Sequence, residues 1–161
     1  MKIEESTAVE TSDFKILIYP ASRSLQAKEV KEITEKLYDF LPTWNAHGKS
    51  LTSSFKIDYK QFVIISVDEE KVQASGCSMD SLNRLMREID KEYQLGMFDR
   101  MKACYRENDE IKTLSLIEFR NKIKSGELQN IEVFDFSKDT YVNYLSDFLL
   151  PLNRSWAGNI K

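Results

Sequence analysis

Histidine occurs once in these 161 residues, cysteine twice, proline three times and glycine five times. One imidazole and two thiols, with no recognised ligand spacing around them, leave no metal site to expect. No cofactor motif is present either. So little proline and glycine excludes collagenous and low-complexity classes. No apolar run approaches the ~18 residues of a membrane-spanning helix, so no membrane partner is expected. Charge of one sign is also lacking: 23 Lys and Arg stand against 26 Asp and Glu, for a net charge of −3. There is no basic excess to draw nucleic acid. The opening "MKIEESTAVETSD" has no apolar core and does not read as a secretory signal. A cytoplasmic location is expected, with Cys77 and Cys104 as thiols rather than a bridge.

What is present is an ordinary globular profile, 42% apolar and 30% charged. The length suits one domain. Residues 1–12 read as a disordered tail and 13–161 as a single α+β domain, with a core over 14–107 and an extension over 108–161. "FKILIY" (14–19) reads as a buried strand closed by Pro20. Val30, Ile33, Leu37, Phe40 and Leu41 fall on one helical face. Ser24 is the expected N-cap of that helix, and Pro42 ends it. Strands follow at 51–59 and 61–67, the second almost wholly apolar, joined by a tight turn at Tyr59-Lys60. Leu82, Leu85, Met86, Ile89 and Tyr93 mark a second amphipathic helix. Strands at 101–107 and 110–115 meet at Asn108-Asp109. The remainder reads as a helix at 116–124 stopped by Gly126, a strand at 131–136, and a helix at 139–149 ended by Pro151.

The order through residue 107 is β-α-β-β-α-β. That order predicts a ferredoxin-like split βαβ sandwich, an antiparallel sheet with both helices on one face, followed by a C-terminal β-α extension. It also predicts that the loops 43–50 and 74–81 lie at the same end of the sheet and face each other.

The first of these loops, "TWNAHGKS", carries the tail of a phosphate-binding loop in Gly48-Lys49-Ser50. A working P-loop joins a strand to a helix, so that the helix N-terminus cradles phosphate. Here the three residues follow a helix and precede a strand, and the first glycine is replaced by Thr43. The second loop, "ASGCSMDS", opens a helix. Gly76 permits close backbone approach, Ser75 and Ser78 offer hydroxyls, and Asp80 suits the positive end of the helix dipole. The plainer reading of Ser75 and Ser78 is capping. Cys77 at that helix start and His47 across the gap are the candidate catalytic pair, because a thiol activated by an imidazole is the minimum for thiolate chemistry. The expected pocket between the loops is lined by Trp44, His47, Ser75, Gly76, Ser78 and Asp80. The leading functional expectation is a binding or interaction module for a small molecule or protein. The alternatives are a thiol enzyme using Cys77 and His47, or a nucleotide-binding protein without a true Walker A. A homodimer is compatible with the fold.

Four segments in order, "WNAHGKSL", "FVIISVDE", "ASGCSMDS" and "FDRMKACY", resemble a family of small Bacteroidetes proteins of uncharacterised activity. Its members show W-x-A-H-G, a V-D-E strand end, A-S-G-C-S-[IM]-D-S and F-D-R-M-K. The likeness runs from about residue 14 to 156 and includes Ser155-Trp156. Some members carry an ABC-transporter ATPase label. That label does not fit a chain this short, with no ABC signature and no Walker A in context. The resemblance implies that Trp44, His47, Gly48 and Ser75–Ser81 form one family feature. It supplies no catalytic residues.

Overall fold

A computed structural model describes residues 14–161, so the stretch read as a tail, 1–12, lies outside the described residues. In chain order the elements are β1 (Lys15–Pro20), α1 (Ala27–Phe40), β2 (Asn45–Ala46), β3 (Lys49–Ser50), β4 (Thr52–Asp58), β5 (Phe62–Asp68), α2 (Gly76–Tyr93), β6 (Lys102–Glu107), β7 (Glu110–Ser115), α3 (Leu116–Lys124), β8 (Glu132–Phe134), α4 (Tyr141–Asp147) and β9 (Leu149–Pro151). The chain is α+β, with antiparallel sheets.

The central element is β5. Phe62, Val63, Ile64, Ile65 and Val67 are all 0% exposed. Side chains alternate across a strand, so both faces of β5 must be covered. Val63, Ile65 and Val67 pack with Ile33 and Leu37 of α1 and with Leu82, Met86 and Ile89 of α2. Phe62 and Ile64 face the other way and join Ile16, Cys104, Phe134, Tyr144 and Phe148. Aromatic rings dominate that second interface: Phe62 lies 4.7 Å from Phe134 and 5.5 Å, edge-on, from Phe148. Beyond it, Ala103, Tyr105 and Val133 turn to Phe119 of α3. The result is four layers: α1 and α2, a sheet of order β1–β5–β4, a sheet of order β7–β6–β8–β9, and α3.

This corrects the expectation of one ferredoxin-like sheet with helices on a single face. β6 was the expected fourth strand beside β1. It pairs instead with β7 and β8. The outer edge of β1 is met by residues 139–141: Ile16 N–H donates to the Asp139 carbonyl at 2.8 Å, and Tyr141 N–H to that of Phe14 at 2.9 Å. The physical reason lies in β5. A strand apolar on both faces exposes Phe62 and Ile64 unless a further layer covers them, and the C-terminal half of the chain is that layer.

A buried polar chain also ties the two sheets. Gln61, 2% exposed, donates through Nε2 to the Ala21 carbonyl at 2.9 Å and to Thr113 Oγ1 at 3.3 Å. Thr113 Oγ1 in turn lies 3.2 Å from Cys104 Sγ. Burial, the largest influence on the Cys104 thiol, pushes its pKa up.

α2 does open within the 74–81 segment, at Gly76, with Ser75 as its N-cap. Other local expectations shift. α4 ends at Asp147, and Leu149–Pro151 form β9 against β8 instead of continuing the helix. The N-cap of α1 is Gln26 rather than Ser24. Glu29 explains that choice. Its carboxylate accepts from the Gln26 N–H at 2.8 Å, and from both terminal nitrogens of Arg23 at 2.8 and 2.7 Å.

The Arg23 guanidinium, helped by the Gln26 N–H and opposed by burial, holds the Glu29 carboxyl down at about 2, below its ordinary 4.5. A folded-state pKa below the unfolded one adds stability that is complete above the unfolded value and is lost as pH falls through the folded value. Glu29→Gln is therefore expected to cost about 1 kcal/mol at pH 7. The gap should close between about pH 4.5 and pH 2. Urea midpoints of both proteins across that range check this; parallel curves would show that the pair stabilises nothing.

Candidate functional site

The two loops expected to face each other do meet. Trp44, 2% exposed, donates its indole N–H to the Ser78 carbonyl at 2.7 Å. The indole therefore occupies the space between them and lies tilted against Phe40, centroids 6.1 Å apart. Ser75 and Ser78 serve the helix: Ser78 N–H donates to Ser75 Oγ at 3.1 Å, and Ser75 N–H to Ser78 Oγ at 2.7 Å. This reciprocal capping satisfies two donors that a helix start otherwise leaves orphaned. Gly76 and Cys77 on the first turn of α2, and Asp80 just after it, are exposed.

His47 stands at the tip of the β2–β3 hairpin. With Ala46 paired to Lys49, only His47 and Gly48 make the turn, at φ 52° and 78°. A two-residue turn of this type needs a left-handed backbone at both positions, which Gly48 adopts freely. The His47 side chain is exposed. Among the described residues, no hydrogen bond joins Cys77 to His47. Lys49 and Ser50 lie on β3, an exposed strand, and no helix N-terminus follows them. Both cysteines are free, Cys77 exposed and Cys104 buried. Among the described residues, no group of three or more His, Cys, Asp or Glu side chains could hold a metal ion.

A different site is open. A cleft of about 600 Å³ lies beside β1. That volume falls within the ~300–1,000 Å³ of small-molecule sites. One wall is the strand itself, residues 17–20. Opposite stand Met79, Asn83 and Arg87 of α2. Residues 97–100 and Lys102 close one end, with Phe136 and Ser137 also lining the cleft. The Tyr19 hydroxyl donates to Asn83 Oδ1 at 2.8 Å, and burial pushes the Tyr19 phenol up to about 12. Phe98 meets Tyr19 edge-on at 6.0 Å and carries the Arg87 guanidinium 4.1 Å above its ring centre. This cation–π seat orients Arg87. Arg100 lies on the adjacent loop. Among the described residues, neither Arg87 nor Arg100 has a carboxylate partner.

Lys102 anchors the same cleft. Its side chain is buried, and Nζ donates to the Pro20 carbonyl at 2.6 Å, the Gly96 carbonyl at 2.7 Å and Ser22 Oγ at 2.8 Å. Burial pulls its pKa below that of an exposed lysine, while the negative charges of Asp99 and Asp90 pull it back. Three oxygen acceptors match the three donors of an ammonium, and a neutral amine has only two. The cage therefore favours the charged form at neutral pH. It also fixes the end of β1, residue 22 and the 96–102 turn relative to one another.

Sequence alone does not point to this cleft, because Arg87 and Arg100 stand among interleaved Asp and Glu residues as on any solvated face. The one available signal was the F-D-R-M-K segment, which contributes Phe98, Asp99, Arg100 and Lys102 to it. No family model, curated protein or solved structure matches the chain.

Two substitutions separate these features. Trp44→Phe keeps a ring but deletes the bond to Ser78, and is expected to lower stability by about 1–3 kcal/mol in urea titration. No loss would mean that the loop contact is incidental. Lys102→Met keeps the stem length but leaves three oxygens without their donor. A loss of about 2 kcal/mol or more is expected, again read from urea midpoints; an unchanged or stabilised variant would show that desolvation of the ammonium outweighs its bonds.

Proposed function

We propose that the protein is a binding module for a small anionic ligand with an apolar body, held in the cleft between β1 and α2. One observation carries this reading: two arginines without acidic partners line the same cleft as the apolar side chains Leu17, Met79, Met97, Phe98 and Phe136. Charge fixes one end of such a ligand and apolar contact the other. Arginine suits the role because its planar fork matches a carboxylate or phosphate. The chemistry of the wall supports binding over reaction. The Tyr19 phenol, up at about 12, is a poor base at neutral pH, and the Lys102 ammonium is fully engaged by three oxygens. This places the ligand site next to the Ser75–Ser81 segment rather than between that segment and Trp44.

We read the β1–β5–β4 sheet with α1 and α2 as the βαββα part of a ferredoxin-like unit whose last strand has been rerouted, and the chain as a member of the Bacteroidetes family that its four segments resemble. Two free thiols suit a cytoplasmic setting.

Calorimetric titration with octanoate tests the function. Octanoate is expected to bind at one site, with octanol about tenfold weaker or worse for want of the charged contact. Arg87→Met and Arg100→Met should each weaken octanoate by a similar factor while leaving the urea midpoint nearly unchanged. Equal affinity for octanoate and octanol, or no effect of either arginine, would overturn the anion site.

A further inference from the structure

We propose that the occupant of the cleft is a short extended peptide with a free C-terminal carboxylate, added as a strand to β1 at Ile18. This rests on the anion-binding reading above. Backbone groups alternate sides along a strand. Ile16 N–H points away from β5, since it donates to the Asp139 carbonyl at 2.8 Å. Ile18 and Pro20 therefore face outward too. The Pro20 carbonyl is taken by Lys102 Nζ at 2.6 Å. Between these two filled positions, the N–H and C=O of half-buried Ile18 have no hydrogen-bond partner among the described residues. Ile18 forms part of the cleft wall.

The interruption has a visible cause. The bridge of Lys15 to Thr140 is antiparallel, and continuing its register would bring residue 137 to Ile18. Ser137 N–H donates instead to Asp135 Oδ1 at 2.9 Å, which turns the chain away. A donor and an acceptor are left unpaired at one strand position, the template that a strand edge offers to an incoming chain. A peptide residue satisfies both at once, by the exchange of two bonds that defines an antiparallel pair. A fatty acid or phosphate ester cannot, since it lacks the amide donor. With only one edge position open between Asp139 and Lys102, the added strand must be short, which selects a chain end over a continuous strand. Its carboxylate meets Arg87 and Arg100, and its side chains reach Met79, Phe98 and Phe136.

The test uses the full chain and four ligand types in calorimetry: acetyl-Val-Phe-Leu as the free acid, the same peptide methylated in turn at each amide nitrogen, its C-terminal amide, and octanoate. The free acid is expected to bind. Methylation of at least one nitrogen, and amidation of the C-terminus, should each weaken it about tenfold. Exchange of the Ile18 amide proton should slow with the peptide and not with octanoate. If no methylation matters, or no peptide binds where octanoate does, strand addition is overturned and the anion site stands. If octanoate fails as well, both fall.

Discussion

The fold depends on the two-sided burial of β5. Its five fully buried apolar residues cannot be satisfied by helices alone, because alternation sends Phe62 and Ile64 to the face opposite α1 and α2. Burying a phenylalanine or isoleucine side chain is worth about 1.5–3 kcal/mol. Leaving both in water would forfeit a large part of a typical domain's net stability. The second sheet exists to cover that face. Once it is there, its own outer face, through Tyr105 and Val133, needs Phe119 of α3. The layer order therefore follows from one strand outward.

The cleft is a by-product of the same arrangement. Moving β6 into the second sheet leaves the outer edge of β1 to be covered piecemeal. Residues 139–141 meet it near Ile16, and Lys102 meets it at Pro20. Stacking the Arg87 cation on Phe98 and caging the Lys102 ammonium in three oxygens hold both charges firmly beside that edge. A polar strand edge therefore lies open beside an organised cation, the pairing on which the proposed recognition rests.

Much of this was legible in the sequence, and the failures have physical causes. The strands at residues 14–19 and 61–67, the tight turn at Tyr59-Lys60 and the facing of the 43–50 and 74–81 loops follow from periodicity and chain direction. The sheet pairing did not. "FVIISV" lacks the in–out alternation of a strand with one solvent face, and that lack was the sign of a second covering layer. The opening of α2 was legible from its capping serines, although Gly76, Cys77 and Ser78 show no apolar period. Their helical state comes from the Ser75–Ser78 capping exchange. Trp44 and Ser78 were placed together correctly, but the indole fills their gap. The cleft draws on residues 17–20, 79–87, 97–102 and 136–137, and no local pattern announces an assembly from four distant segments.

The two sheets are contiguous in the chain: the first is complete by Asp68 and the second begins at Lys102. During synthesis the first sheet and its helices emerge before Cys104, Phe134, Tyr144 and Phe148 exist. At about 5–20 residues per second, the aromatic face of β5 waits on the order of ten seconds for its cover. The nascent chain thus passes through a stage with a sticky surface that the finished protein never shows. Chaperone engagement and the timing of translation bear on this molecule through Phe62 and Ile64 more than through any residue on its mature exterior.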